Sequence, residues 1–122
     1  MGEENGKMAK EKVSIIIPTY NRAHIIKNAI DSVLSQTYPW FEIIIVDDGS
    51  TDNTREVIES FKDERIRYYY AGLNQGASAA RNYGLKKAQY DFIAFEDSDD
   101  IWYADKLEKQ MKILCNAKPE VG

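Results

Sequence analysis

VSIIIPTYNRAHIIKNAIDSVLSQTYPWFEIIIV, residues Val13–Val46, is the stretch on which the fold turns. It opens with Val13-Ser14-Ile15-Ile16-Ile17, a β-branched and nearly unbroken apolar run. Such a run is the pattern of a strand covered on both faces. Pro18 is expected to stop it. From about Ala23 to Thr37 the apolar residues Ile25, Ile26, Ala29, Ile30, Val33 and Leu34 fall on one helical stripe. Tyr38-Pro39 breaks that helix, because proline lacks the amide and disfavours a helical residue before it. Phe41 to Val46 is a second buried-strand run. Two such strands joined by an amphipathic helix predict a βαβ unit, and hence a parallel pair.

Outward from this unit the alternation continues. Asp47-Asp48-Gly49 ends the second run, and Asp52 or Asn53 can cap a helix carrying Val57, Ile58 and Phe61. Ile66 to Tyr70 predicts a third strand, rich in tyrosine and expected near a sheet edge. The loop Ala71–Gly76 leads into a helix from about Ala77 to Ala88. Its residues Ala77, Ala80, Gly84 and Ala88 form a small-residue side that can lie close to a sheet. Phe92-Ile93-Ala94-Phe95 is the fourth strand. The last helix starts near Asp105 and carries Leu107, Met111 and Leu114. The order β-α-β-α-β-α-β-α predicts an α/β fold, an open parallel sheet wrapped by helices with right-handed crossovers.

Composition narrows the function. At 122 residues the chain is expected to be one domain, with 43% apolar and 30% charged residues. A net charge of −4 gives no field that favours nucleic acid, so none is expected as a partner. The single Cys115 cannot form an internal disulfide, which fits a reducing, cytoplasmic compartment. No apolar run approaches the roughly 20 residues that span a bilayer. Residues 1–12 are polar, of mixed charge, without the apolar core of a signal peptide, and are expected to be a disordered lead-in.

Two acidic turns stand at strand ends: Asp47-Asp48-Gly49-Ser50 and Glu96-Asp97-Ser98-Asp99-Asp100. Open α/β sheets bind ligands at the carboxyl ends of their strands. Aspartates crowded there point to a cation and to something the cation bridges, most simply a phosphate. Neither G-x-x-x-x-G-K-[ST] nor G-x-G-x-x-G occurs after the first strand, which argues against a P-loop enzyme and a dinucleotide dehydrogenase. The turn there is Pro18-Thr19-Tyr20-Asn21-Arg22. It offers a ring, hydrogen-bonding side chains and a cation, which suits a nucleobase slot.

Four segments together carry a specific resemblance: VSIIIPTYNR (Val13–Arg22), IVDDGSTD (Ile45–Asp52), NQGASAARNYGL (Asn74–Leu85) and FEDSDD (Phe95–Asp100). The chain resembles the N-terminal, nucleotide-sugar-binding half of a family 2 glycosyltransferase with the GT-A fold. That resemblance implies a Rossmann-like open sheet of strand order 3-2-1-4, with residues 13–122 forming the donor-binding subdomain. It implies an inverting transfer of a sugar from a nucleotide diphosphate, usually uridine, to an acceptor hydroxyl in glycan or polysaccharide synthesis.

Residue roles follow from the same resemblance. Tyr20 would flank the base, with Pro18 and Thr19 shaping the slot. Asp48 would accept from the base N–H, with Asp47 in the same turn. Arg81 would contact the base edge or position the acidic loops. Asp97 would lie near the ribose or the metal waters, and Asp99 would ligate Mg2+ or Mn2+, which bridges the diphosphate. Glu96 departs from the family, where the residue before Asp97 is usually apolar. Solvent, Arg81, Lys106 and the metal are all open to it as surroundings.

The catalytic base and the acceptor contacts, to a glycan or lipid-linked acceptor, are expected beyond Gly122. The chain is therefore expected to bind donor and metal without transferring sugar, to associate peripherally with the inner face of a membrane, and to self-associate through its fourth strand, an exposed edge. A metal-dependent nucleotidyltransferase and a non-catalytic nucleotide-binding or interaction module are the alternative functions.

Overall fold

The computed structural model describes residues 11–72 and 74–121, with side chains as far as Leu114. The lead-in before residue 11 and the Cys115 side chain lie outside the described residues. Four strands and four helices alternate: β1 (Val13–Thr19), α1 (Ile26–Leu34), β2 (Phe41–Asp47), α2 (Thr54–Glu59), β3 (Ile66–Tyr70), α3 (Ala77–Lys87), β4 (Phe92–Phe95) and α4 (Lys106–Val121). The sheet is parallel throughout, in the order β3-β2-β1-β4. The class and strand order therefore agree with the expectation, and β3 lies at an edge.

Pro18 does not stop β1. It pairs with Val46 in the β2 register, whereas β4 ends two residues earlier, with Phe95 opposite Ile16. Ile16 turns its carbonyl to β4, where it accepts the Glu96 amide at 3.0 Å. Pro18, two residues on, faces the same side, beyond the end of β4. Its missing N–H therefore breaks no ladder bond. α1 is shorter than its apolar stripe suggests, since Ala23–Ile25 and Ser35 form turns, and α2 ends at Glu59, before Phe61.

The two faces of the sheet are covered differently. Val13, Ile15, Ile17, Phe41, Ile43 and Ile45 point to one side, where Ile26, Ile30 and Val33 of α1, Ile58 of α2, and Trp102, Leu107 and Met111 close the larger core. Ile16, Ile44 and Val46 point to the other side, against Ala80 of α3. Gly84 explains how α3 lies so close: a Cβ there would sit 2.6 Å from Ile16 Cγ2. Leu114, named with Leu107 and Met111 on the last helix, is 46% exposed where they are buried. With Ile113 and Phe95 it borders an open groove along β4.

Candidate functional site

Strand order reverses at β1, whose neighbours β2 and β4 are reached by crossovers on opposite faces. In open α/β sheets this is where a crevice opens at the carboxyl ends. A cleft of about 380 Å³ lies there. The β1 turn contributes Pro18, Thr19, Tyr20 and Arg22; the β2 turn, Asp48; the lead-in and first turns of α3, Asn74, Gly76, Ala77 and Ala80; and the β4 turn, Asp97, Ser98 and Asp99. Of the residues expected at the site, Pro18, Thr19, Tyr20, Asp48, Asp97 and Asp99 thus come together. Arg81 does not line the cleft. It sits in the second turn of α3, its guanidinium 3.5 Å from the Asp97 carboxylate.

The turns are braced by short polar links. Asn21 adopts φ +52°, a conformation asparagine tolerates. Its amide donates to Ser50 Oγ at 2.8 Å, and its Oδ1 accepts from Thr51 N–H at 2.8 Å. This ties the β1 turn to the β2 turn. Tyr20 is left partly exposed on the cleft wall. Thr19 is buried, and its hydroxyl has no hydrogen-bond partner among the described residues.

The β2 turn is a hydrogen-bond hub. Asp47 is fully buried. Its Oδ1 accepts from the Gly49 and Ser50 amides at 3.1 and 2.8 Å, and its Oδ2 accepts from the Tyr68 hydroxyl at 2.6 Å. Burial, reinforced by that hydrogen bond, pushes the Tyr68 phenol well above its ordinary range. Asp48 faces α3, where its two carboxylate oxygens accept from Gln75 and Gly76 N–H at 2.9 and 2.7 Å. Gly76 then enters α3 at φ +100°, which a side chain would resist. Asp48 is thus both cleft wall and loop anchor. Its oxygens retain lone pairs, since an ionised carboxylate has about four acceptor sites.

The β4 turn is open by contrast. Asp97 and Asp99 are exposed, and the Asp100 amide closes a turn onto the Asp97 carbonyl at 3.0 Å. Glu96 answers its open question: it turns inward, 1% exposed, with Oε2 3.3 Å from Ser32 Oγ on α1. Its Oε1 has no partner among the described residues. Burial pushes its pKa up to about 8, against the weaker opposing pull of the Ser32 hydroxyl. It faces neither solvent nor Arg81. Lys106 instead lies over the Trp102 ring at 4.7 Å.

Arg22 is the cation of the β1 turn noted in the sequence. Asn74, Gly76 and Ser98 also line the cleft without having been singled out as site residues. All three stand inside the motifs quoted above, so membership of a motif was the available signal. Among the described residues no three carboxylate, imidazole or thiol groups converge as a preformed ion cage. The donor set at the β4 turn is two exposed carboxylates, hard oxygen ligands suited to Mg2+ or Mn2+. Such ions are commonly held by one or two carboxylates together with substrate phosphates.

The sequence profile described as glycosyl transferase family 2 matches residues 14–121. The chain belongs to that family. It is 50% identical over 102 residues to UDP-Glc:alpha-D-GlcNAc-diphosphoundecaprenol beta-1,3-glucosyltransferase WfgD of Escherichia coli, covering 84% of this chain and 40% of that one. The crystal structure of S. aureus TarS 1–349 in complex with UDP-GlcNAc superposes with a TM-score of 0.83 at 32% identity, over 88% of this chain and 32% of that one. Mannosyltransferase PcManGT from Pyrobaculum calidifontis, in complex with GDP-Man and Mn2+, gives a TM-score of 0.76 at 31% identity, over 84% of this chain and 32% of that one. The chain thus spans less than half the length of each of these proteins. Among the described residues no helix is long and apolar enough to cross a membrane.

Proposed function

We propose that this chain is the donor-binding part of a glycosyltransferase that draws on a UDP-sugar for polysaccharide synthesis. The observation that carries the reading is the meeting of Tyr20, Asp48, Asp97 and Asp99 in one cleft at the switch point of the sheet. The cleft's size is in the range of small-ligand sites. In this reading Tyr20 flanks the base, Pro18 and Thr19 shape its slot, and Asp48 accepts the base N–H. The orphaned Thr19 hydroxyl supports a polar ligand at that slot. Asp99, with Asp97, holds the Mg2+ or Mn2+. The metal, when bound, offsets negative charge on the departing nucleotide diphosphate. Arg81 acts through Asp97, by limiting where that exposed carboxylate swings. Arg22 adds a cation to the wall facing an anionic donor.

A base for the acceptor hydroxyl is assigned to no residue here. His24, the single imidazole, is exposed in the turn before α1 and does not line the cleft. The chain's own activity is therefore donor and metal binding, with residues 13–122 as the donor-binding subdomain; transfer to a glycan or lipid-linked acceptor, with inversion, belongs to the whole protein at the inner face of a membrane. The test is calorimetric titration of UDP with and without Mn2+. Saturable binding strengthened by Mn2+, and lost in Asp99→Ala, is expected. Binding that ignores Mn2+ and survives that substitution would overturn the reading. The edge position of β4 in the sheet, with exposed Phe95 at its end, further predicts self-association, which light scattering across a concentration series reads as a rise in mass. A constant monomer mass would remove it.

A further inference from the structure

The loop between β4 and α4 crowds three aspartates, Asp97, Asp99 and Asp100, on exposed backbone. Like charges so close repel one another, and an exposed loop has little packing of its own to resist them. The structure shows what does resist them. One hydroxyl on α1, Ser32 Oγ, lies 3.3 Å from Glu96 Oε2 where the loop begins, and accepts the Trp102 N–H at 3.2 Å where the acidic part ends. Ser32 itself donates to the Ala29 carbonyl at 2.8 Å, which fixes its rotamer.

Just past the C-terminal end of α1, Gln36 is buried with its whole amide engaged. Its Nε2 donates to the Ser32 carbonyl at 3.1 Å and to the Tyr103 carbonyl at 2.6 Å. Its Oε1 accepts the Leu107 N–H at 2.9 Å, one of the first amides of α4, which lack partners within the helix. Thr37 N–H adds a bond to the Ala104 carbonyl at 2.8 Å.

We propose that Ser32 and Gln36 are positioning residues, a clasp at the C-terminal end of α1 that holds the acidic loop at both ends and so presents Asp97 and Asp99 to the cleft. Neither side chain lines the cleft, so any effect on ligand must pass through the loop. The inference rests on the donor-site reading above. Its readout is the ratio of UDP affinity with Mn2+ to that without, because the β1 and β2 turns, which hold the base in that reading, are braced independently of α1.

In Ser32→Ala that ratio should fall about fivefold, the equivalent of one net hydrogen bond. Metal-free UDP affinity should stay unchanged, and Ser32→Thr, which keeps the hydroxyl, should restore the ratio. Gln36→Leu should reduce it further. An unchanged ratio in both variants overturns the clasp alone. So does an equal loss with and without Mn2+, or thermal unfolding of Ser32→Ala below the assay temperature, since either assigns these residues to general stability. A parent chain that shows no Mn2+ enhancement sinks the donor-site reading, and the clasp with it.

Discussion

The two acidic turns, Asp47-Asp48 after β2 and Glu96-Asp97 after β4, look alike in sequence and differ in what their carboxylates touch. In each, the first acid points to the α1 side of the sheet and the second to the α3 side, where the cleft opens. At β2 both acids are bonded on both oxygens: Asp47 holds two turn amides and a phenol, and Asp48 holds two amides of the α3 lead-in. At β4 the inward acid is a buried carboxyl with one orphaned oxygen, and the outward one is exposed beside Arg81. Carboxylates bonded on both oxygens brace the fold, and Asp48 keeps only its remaining lone pairs for a ligand. Those left open to solvent offer a ligand more of theirs.

That contrast can be broken by substitution. The largest expected effect is at Asp47. Asp47→Ala strands the Gly49 and Ser50 amides and the Tyr68 hydroxyl, and should cost about 3 kcal/mol or more in urea unfolding. A loss under about 1 kcal/mol would mean the turn relaxes and the hub is not one.

Glu96 comes next, with the opposite sign. Glu96→Leu removes a buried carboxyl that lacks a partner on one oxygen, and should stabilise the chain by about 1–2 kcal/mol at pH 8. The pH dependence follows from the raised pKa. Below its ordinary value of 4.5, Glu96 is protonated whether folded or unfolded, and its contribution is fully present. As pH climbs toward about 8, the unfolded chain ionises while the folded one keeps its proton, so stability falls; above about 8 it levels. The difference between parent and Glu96→Leu should therefore widen between these limits. A constant difference would show that Glu96 is not held neutral.

The smallest effect on stability is at Asp99. Asp99→Ala should shift unfolding by no more than about 0.5 kcal/mol while abolishing Mn2+-enhanced UDP binding. A large loss of stability would erase the distinction between the two turns.

Much of this fold is legible in the sequence because its strands are buried on both faces and its helices are striped. The runs Ile15–Ile17 and Ile43–Val46 admit few other assignments, and the four motifs fall at the strand ends where a cleft must lie. What was harder to read has physical causes. Pro18 reads as a stop because a proline lacks an N–H, but that matters only where a neighbouring strand needs one, and β4 is too short to ask. Leu114 fits the apolar stripe of α4, yet it borders the groove along β4, which is open among the described residues. The sequence leaves Arg81 between the base edge and the acidic loops, and its helical position turns it toward Asp97. Ser32 and Gln36 look like ordinary polar residues on a helix until the loop from β4 is laid across them. Glu96 had a signal that went unused: Phe92 and Ala94 pack on the α1 side, and the strand's period of two carries residue 96 there as well.

That period of two has a consequence for how such a sequence can change. Glu96 and Asp97 are sorted to opposite sides of the sheet by parity alone, one into the interior and one into the cleft. Loss or gain of a single residue within Phe92–Phe95 would exchange them, burying the exposed aspartate under α1 and turning the shielded glutamate toward the ligand. Length variation in this segment is therefore confined to steps of two, while the loop after Asp99 is free of that arithmetic until it reaches Trp102.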